Sequence, residues 1–189
     1  MTSTPTTKTT KKRGRPRKTD GPKLPSASKA KKRTTKSAPA IDSLPTNPFV
    51  FEILDLTSKQ KSSAKKVEAL KQYEHDCVKI VLIWNFDESV QSMLPDGDVP
   101  FNKNEAPAGT EHLHLAYEWK KLYNFVKGGN DALRPMKREQ LFMQLLEGLH
   151  PDEAEIICLV KDKNLNKKYK LTRAVVEEAF PDIQWGNRS

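Results

Sequence analysis

Apolar residues recur every three or four positions through most of residues 48–189, which is the spacing of one face of an α-helix. Two stretches show it most clearly, with these apolar positions: Leu115, Trp119, Leu122 and Val126, then Phe142, Leu145, Leu146 and Leu149. No stretch alternates convincingly between apolar and polar residues, as a half-buried strand would. The pattern therefore predicts an all-α fold, a compact domain of six to eight short helices.

The predicted helices cover residues 49–56, 58–73, 77–86, 111–126, 135–149, 151–161 and 172–180. The third is apolar nearly all round, as a central helix is, with Asp76 as its expected cap. Its Val, Ile and Trp residues also favour strands, but no second strand is available nearby, so we predict a helix. Proline and two acids at 151–153 mark a helix start. Residues 95–109 are predicted to form a loop and residues 163–170 a polar, basic turn.

Residues 1–47 differ sharply in composition from the rest of the chain. They hold 13 of the 33 Lys and Arg residues and two of the 24 Asp and Glu residues, a net +11, whereas the other 142 residues carry −2. Only Leu24, Ile41 and Leu44 are bulky and apolar there, too few to offset the entropy cost of ordering the segment. We expect a disordered basic tail over residues 1–47 and a folded domain over residues 48–189.

One run in the tail resembles an AT-hook, the short motif built on Arg-Gly-Arg-Pro: Lys11, Lys12, Arg13, Gly14, Arg15, Pro16, Arg17 and Lys18. Gly14 lets the backbone approach the floor of the minor groove, and Pro16 favours an extended path. Arg13 and Arg15 then lie along a groove whose negative potential is greatest at A·T tracts. The flanking basic residues meet phosphates. The run predicts binding to A·T-rich duplex DNA.

A second basic cluster lacks the Gly-Arg-Pro core and is expected to bind phosphates without sequence preference: Lys29, Lys31, Lys32 and Arg33. Two other interpretations of the tail stay open. It can be a generic basic arm, or a nuclear localisation signal if the source is eukaryotic.

Several functional classes find no support in the sequence. No apolar run is long enough to span a membrane, and no secretory signal opens the chain, so Cys77 and Cys158 are expected to be free buried thiols in a reducing compartment. His112 and His114 are two residues apart on a predicted helix and cannot form a metal-binding pair on one face. We expect no catalytic residue, no cofactor and no metal. Trp84, Trp119 and Trp185 are expected to be core or edge residues rather than platforms for bases.

The residue order over 50–183 resembles the helical N-terminal DNA-binding domain of phage-type ATP-dependent DNA ligases. The strongest stretch is 142–163, a leucine-rich helix followed by an Asp-Glu-Ala helix and a basic-acidic dipeptide. Residues 172–181 are similar to the helix that ends that domain, and residues 51–95 follow the order of its early helices. Residues 164–170 take the place of a turn that grips the DNA backbone, although they lack the small residues usual there.

The resemblance implies a domain that binds duplex DNA through phosphates across the minor groove. Its implied contacts are Lys161, Lys163, Lys167, Lys168, Lys170 and Arg173, with residues 127–129 as a second candidate loop. The nucleotidyltransferase domain that follows in those ligases is not among these 189 residues. Small proteins of this kind with basic tails resemble those of large tailed phages of marine bacteria, which implies the cytoplasm of an infected host, or the virion, as the location.

The sequence thus predicts a non-catalytic protein that binds double-stranded DNA, preferably A·T-rich, through two parts. The tail enters the minor groove and the helical domain binds the backbone nearby. The alternative is an assembly or interaction protein, whose helical body docks on a phage or host protein while the tail holds DNA without specificity.

Overall fold

Helices make up the folded part of the chain, as the apolar spacing predicts. The structure, a computed structural model, describes residues 39–107, 110 and 112–186. Within these residues it contains eight α-helices, two short 3₁₀ helices and no β-strand, which confirms the all-α prediction. They all belong to one compact unit, residues 37–189. None of the helices in this part of the chain is long and apolar enough to cross a membrane.

The α-helices follow one another as α1 Val50–Lys59, α2 Ser63–Gln72, α3 Asp76–Phe86, α4 Leu115–Glu118, α5 Pro135–Gly148, α6 Pro151–Lys161, α7 Leu165–Lys168 and α8 Arg173–Ala179. The 3₁₀ helices span Ile41–Ser43 and Trp119–Phe125. α3 packs against α4 and α6, and α2 packs against α1 and α8. α5 packs against α6 and the second 3₁₀ helix, so that one continuous core runs through the described residues.

The apolar segment after residue 76 is a helix, as predicted, and not a strand. α3 is buried on several sides, through Cys77, Val78, Val81, Leu82, Trp84 and Asn85. The prediction of its cap was wrong by one residue. His75 Nδ1 accepts the N–H of Cys77 at 3.1 Å, and Asp76 occupies the first helical position, where a negative charge suits the helix dipole.

The predictions for α5 and α6 are confirmed closely. The predicted apolar face of α5 is buried, and α6 begins at Pro151. The side chain of His150 caps α6, because its Nδ1 accepts the N–H of Asp152 at 3.2 Å. Proline at the first helical position costs nothing there, since its missing N–H would have no partner inside the helix.

The continuous α-helix predicted over residues 111–126 is wrong. α4 is a single turn, and the chain then tightens into the 3₁₀ helix Trp119–Phe125. Other segments take the carbonyl groups at its end: Arg138 Nε donates to Asn124 O at 2.9 Å, and the Met93 N–H donates to Phe125 O at 2.8 Å. These tertiary hydrogen bonds satisfy carbonyl groups at the end of the segment, which have no partner within the helix itself.

The segment predicted as a polar turn is anchored in the core. Leu165 and Tyr169, at either end of the single turn α7, are both buried. Asn85 of α3 accepts the Leu165 N–H through its Oδ1 at 3.0 Å, which fixes the start of α7. The sequence pattern misses this because two apolar residues among six polar ones show no periodicity.

The folded body begins earlier than the predicted boundary at residue 48. Gln60 Nε2 donates to Pro39 O at 3.0 Å, and Tyr73 Oη donates to Ile41 O at 3.0 Å. Leu44 packs against the core. The helix predicted over residues 58–73 is interrupted at Gln60, whose side chain is buried. The observed helix α2 therefore starts only at Ser63. Residues 39–47 are therefore part of the body and not of a tail.

A buried carboxylate joins the starts of three helices. Glu153, in the first turn of α6, is completely shielded from solvent. One carboxylate oxygen accepts the Val50 N–H at 3.0 Å and the other accepts the Leu115 N–H at 2.9 Å. These are the first residues of α1 and α4, whose N–H groups have no partner within their own helices. Burial raises the pKa of Glu153, and the two backbone hydrogen bonds partly offset that effect.

Replacing Glu153 is expected to destabilise the protein through those two donors. Glu153→Ala leaves both N–H groups buried without an acceptor and should lower the free energy of unfolding by about 2–5 kcal/mol. Glu153→Gln retains one acceptor and should cost about 1–3 kcal/mol. Urea denaturation measures both. Glu155→Gln, an exposed carboxylate on the same helix, is the matched control and should change stability by less than about 1 kcal/mol. Equal effects of Glu153→Gln and Glu155→Gln would contradict this role.

Candidate nucleic-acid interface

Lysines from two distant parts of the chain come together where α2 meets the segment before α8. Lys66 Nζ donates to the carbonyl of Lys170, and the Lys170 N–H donates to Ser58 Oγ at 3.1 Å. Exposed lysines flank these contacts on both segments. We call the group the α2–α7 basic surface; it consists of Lys61, Lys65, Lys66, Lys167, Lys168 and Lys170.

Half of this surface was not predicted from the sequence. Lys61, Lys65 and Lys66 lie about a hundred positions before Lys170, and only the packing of α2 against α8 brings them together. Their one sequence signal is the lysine-rich polar face of α2. That signal is shared with any solvated helix.

Three of the predicted phosphate-binding residues keep their ammonium groups at this surface. Lys167 and Lys170 are exposed, and no ion pair to a described acid holds them. Lys168 is also exposed, but its Nζ lies 2.8 Å from Glu155 Oε2, so part of its charge is already balanced. An exposed pair of this kind is worth little in water and opens readily to a competing anion.

Two other predicted contacts point inward. The side chain of Lys161 is buried, with Nζ donating to Pro95 O at 2.8 Å and paired with Asp162. Lys163 Nζ donates to Asp87 O at 2.8 Å, and the residue follows the end of α6 with a φ of 54°. Both lysines hold the segment after α3 against the end of α6. Their geometry does not suit phosphate binding, and we leave them out of the interface.

Arg173 stands at the first position of α8 in a local network. Its Nε lies 2.7 Å from Glu177 Oε1, one turn further along the helix, and its guanidinium lies 4.8 Å from the centre of the Trp185 ring. It remains partly exposed, but its guanidinium is already engaged with the protein itself.

The predicted tail contacts lie outside the described residues. This holds for the AT-hook-like run and for the second cluster: Lys11, Lys12, Arg13, Gly14, Arg15, Pro16, Arg17, Lys18, Lys31, Lys32 and Arg33. Their assignment to DNA stays a prediction.

The second candidate loop, residues 127–129, is a tight turn held by its neighbours. Gly128 has a φ of 78°, and its N–H donates to Asp131 Oδ1 at 3.0 Å. A Cβ at position 129 would lie 1.9 Å from Tyr123 O, so only glycine fits. The buried Arg138 binds the segment from below through Asn130 O at 3.0 Å, in addition to its bond to Asn124. The turn is well ordered by these contacts, and Lys127 is its one exposed cation.

Three histidines gather near the starts of α1, α4 and α6. The rings of Phe49 and His114 are stacked with their centres 4.5 Å apart, and Phe51 and His150 are stacked at 5.0 Å. His112 meets His150 edge-on at 5.0 Å. His112 and His114 precede α4 in extended backbone rather than lying on a helix as predicted. The cluster is packed among aromatic rings, which suits a structural role.

The cysteines show no sign of activation. Burial raises the pKa of Cys77, whose Sγ donates to Leu115 O at 3.4 Å, and raises the pKa of Cys158 to about 11. A raised pKa suppresses the reactive thiolate. No group of three or more His, Cys, Asp or Glu side chains that could hold a metal ion occurs in the described part of the chain.

A family model described as a family of unknown function, DUF6433, matches residues 53–167. The chain belongs to the DUF6433 family. No curated protein and no solved structure matches it. The DUF6433 match runs from α1 into α7, so it includes the buried Glu153 and most of the α2–α7 basic surface. The AT-hook-like run and Arg173 lie outside the match. The resemblance to the ligase domain stays a prediction.

His150 is expected to make stability depend on pH. Burial lowers its pKa from the ordinary 6.5; His112 acts in the same direction, and Asp152 and Glu52 oppose it. The fold therefore favours the neutral ring, which caps α6. That stabilisation is fully present above pH 6.5 and is lost as the pH falls below it. His150→Asn keeps a capping side chain that does not titrate, so it should flatten this acid-side loss in urea unfolding between about pH 7.5 and 5.5.

The matched control for that measurement is His75→Asn. His75 also caps a helix, but it is exposed and lies outside the histidine cluster. The control should keep the pH dependence of the unaltered protein. If both variants flatten the profile equally, His150 is not its source.

Proposed function

We propose that the protein is a non-catalytic duplex DNA-binding protein with two contact regions. The basic segment that contains the AT-hook-like run binds the minor groove of A·T-rich DNA, and the helical body binds the phosphate backbone through the α2–α7 basic surface. The observation that carries the proposal for the body is the contact between Lys66 and Lys170, which joins two lysine-bearing segments that are distant in the sequence. Lysines that are exposed and weakly paired are the usual sequence-independent contacts to phosphates.

The net charge of the body does not oppose this proposal. Residues 48–189 carry −2, but phosphate binding depends on the local field rather than on the net charge. The tail supplies the long-range attraction with its +11. Once the tail is bound, the body is held close to the same duplex, so even a weak backbone contact adds to the overall affinity.

The alternative function is docking of the helical body on another protein, a phage or host factor, with the tail holding DNA without specificity. Four large apolar or aromatic side chains at the surface favour it: Leu113, Tyr117, Tyr123 and Met136. Tyr117 is 67% exposed and Met136 is 75% exposed, and such residues are common in protein interfaces. In either case the protein would act where phage DNA is handled, in the cytoplasm of an infected bacterium.

The two functions differ in what the body does alone. Fluorescence anisotropy should be measured for full-length protein, residues 39–189 and residues 1–38 with A·T-rich, G·C-rich and nicked duplexes at two salt concentrations. The cut falls at residue 39 because residues 39–47 pack on the body. We expect residues 39–189 to retain measurable duplex binding. If only residues 1–38 bind, the body is a docking module and the alternative holds.

Loss of single lysines should weaken duplex binding without changing sequence preference. Lys65→Ala, Lys167→Ala and Lys170→Ala should each reduce the slope of log affinity against log salt by about 0.9, the value for one phosphate contact. Lys137→Ala, an exposed lysine in the first turn of α5, is the matched control and should leave the slope unchanged. Equal slopes for all four variants would remove the basic surface from the proposal.

The tail makes a separate prediction about sequence preference. In the full-length protein, Arg15→Ala should abolish the difference in affinity between A·T-rich and G·C-rich duplexes, because it removes an arginine from the narrow groove. Lys31→Ala should weaken binding to both duplexes equally. Retention of the A·T preference in Arg15→Ala would mean that the run is only a basic arm.

A further inference from the structure

An apolar cleft of about 280 Å³ lies between α3 and the 3₁₀ helix Trp119–Phe125. Trp84, Trp119 and Tyr123 supply aromatic surface, and Leu122 is among the aliphatic residues that line the rest. The volume is at the lower limit of small-molecule sites, so it fits one flat ring system with its substituent rather than a stretch of chain. The proposed function does not use this cleft.

One polar group of the cleft residues lacks a partner. Trp84 is 2% exposed, and its indole Nε1 has no hydrogen-bond acceptor among the residues that the structure describes. A buried N–H without an acceptor is costly, and buried indole groups usually find one. This nitrogen is itself shielded from solvent, so Trp84 contributes an apolar wall to the cleft and no hydrogen bond to a ligand.

The rim of the cleft carries positive charge. Lys120 and Lys127 both line it, and Lys120 Nζ lies 5.7 Å from the centre of the Trp119 ring. The backbone of Gly128 and Gly129 completes this edge without side chains. A ligand for this site is therefore flat and aromatic and carries a negative charge beside its ring.

We propose that this cleft binds one unpaired nucleobase of DNA. The base inserts against Trp119 and Tyr123, and the adjoining phosphates meet Lys120 and Lys127. Stacking of a base on aromatic side chains tolerates any base and adds affinity that phosphate contacts alone lack. The proposal rests on the proposed DNA binding and extends it to single-stranded or locally unpaired sites.

Tryptophan fluorescence tests the cleft directly. All three tryptophans lie in the body, and Trp185→Phe in the full-length protein leaves only the two that line the cleft. A thymidine oligonucleotide is compared with an abasic oligonucleotide of equal length and equal phosphate number, while anisotropy of a label on each strand reports total binding. We expect saturable quenching with the thymidine strand and none with the bound abasic strand.

Matched tyrosine variants then separate stacking from charge. Tyr123→Ala removes a half-exposed ring that lines the cleft, and it should weaken binding of the thymidine strand by about 5- to 150-fold, the range for loss of one stacked base. Tyr117→Ala removes a more exposed ring outside the cleft and should leave that affinity unchanged. Duplex affinity should not change in either variant.

The outcomes distinguish this proposal from the proposed function. Suppose that the thymidine and abasic oligonucleotides both bind, and that both or neither quench tryptophan fluorescence. The cleft then does not hold a base, whereas the proposal of DNA binding is unaffected. If Tyr123→Ala and Tyr117→Ala behave alike, the cleft proposal is also overturned. If neither strand nor duplex binds at all, both proposals fail.

Discussion

The fold depends on one carboxylate that serves three helix starts. Glu153 lies in the first turn of α6 and accepts the first N–H groups of α1 and α4. α4 is a single turn and could not persist alone, because a helix of that length has no cooperative stability of its own. The carboxylate therefore does for α1 and α4 what a local capping residue does for an ordinary helix. Because Glu153 is shielded from solvent, its two hydrogen bonds are stronger than they would be in water.

Local signals in the sequence were sufficient for some elements and not for others. α3 follows from its nearly continuous apolar stretch, α5 from apolar spacing, and α6 from a proline and two acids in its first turn, all of which lie within the helix itself. The role of Glu153 does not, since its partners are 103 and 38 positions away. By sequence alone it is one of two acids at the positive end of a dipole. The 3₁₀ helix after α4 also depends on distant residues. The Arg138 side chain and the Met93 N–H bind carbonyl groups at its end, and the local sequence pattern does not predict these hydrogen bonds.

The candidate interface shows the same division between local and distant information. Lys161 and Lys167 belong to the same basic stretch and cannot be told apart from the sequence. In the structure Lys161 is buried and donates to Pro95 O, whereas Lys167 is exposed. A lysine near a helix end can either bind carbonyl groups of the protein or remain available to solvent, and only the neighbouring chain decides which. Conversely, Lys61 and Lys65 join the surface because α2 packs against α8. The charge pattern of the sequence thus indicated where a candidate interface lies, but not which lysines belong to it.

Arg138 has a consequence for the cleft beside the turn at residues 127–129. Its rigid, planar guanidinium spans the turn from inside and holds the carbonyl groups of Asn124 and Asn130 at fixed separation. Gly129 presses against the Tyr123 carbonyl on the same edge, which leaves the backbone no room to collapse inward. The backbone along this edge of the cleft is therefore preorganised and need not move when a ligand binds. Little conformational entropy is lost on association, and most of the contact energy is retained as affinity.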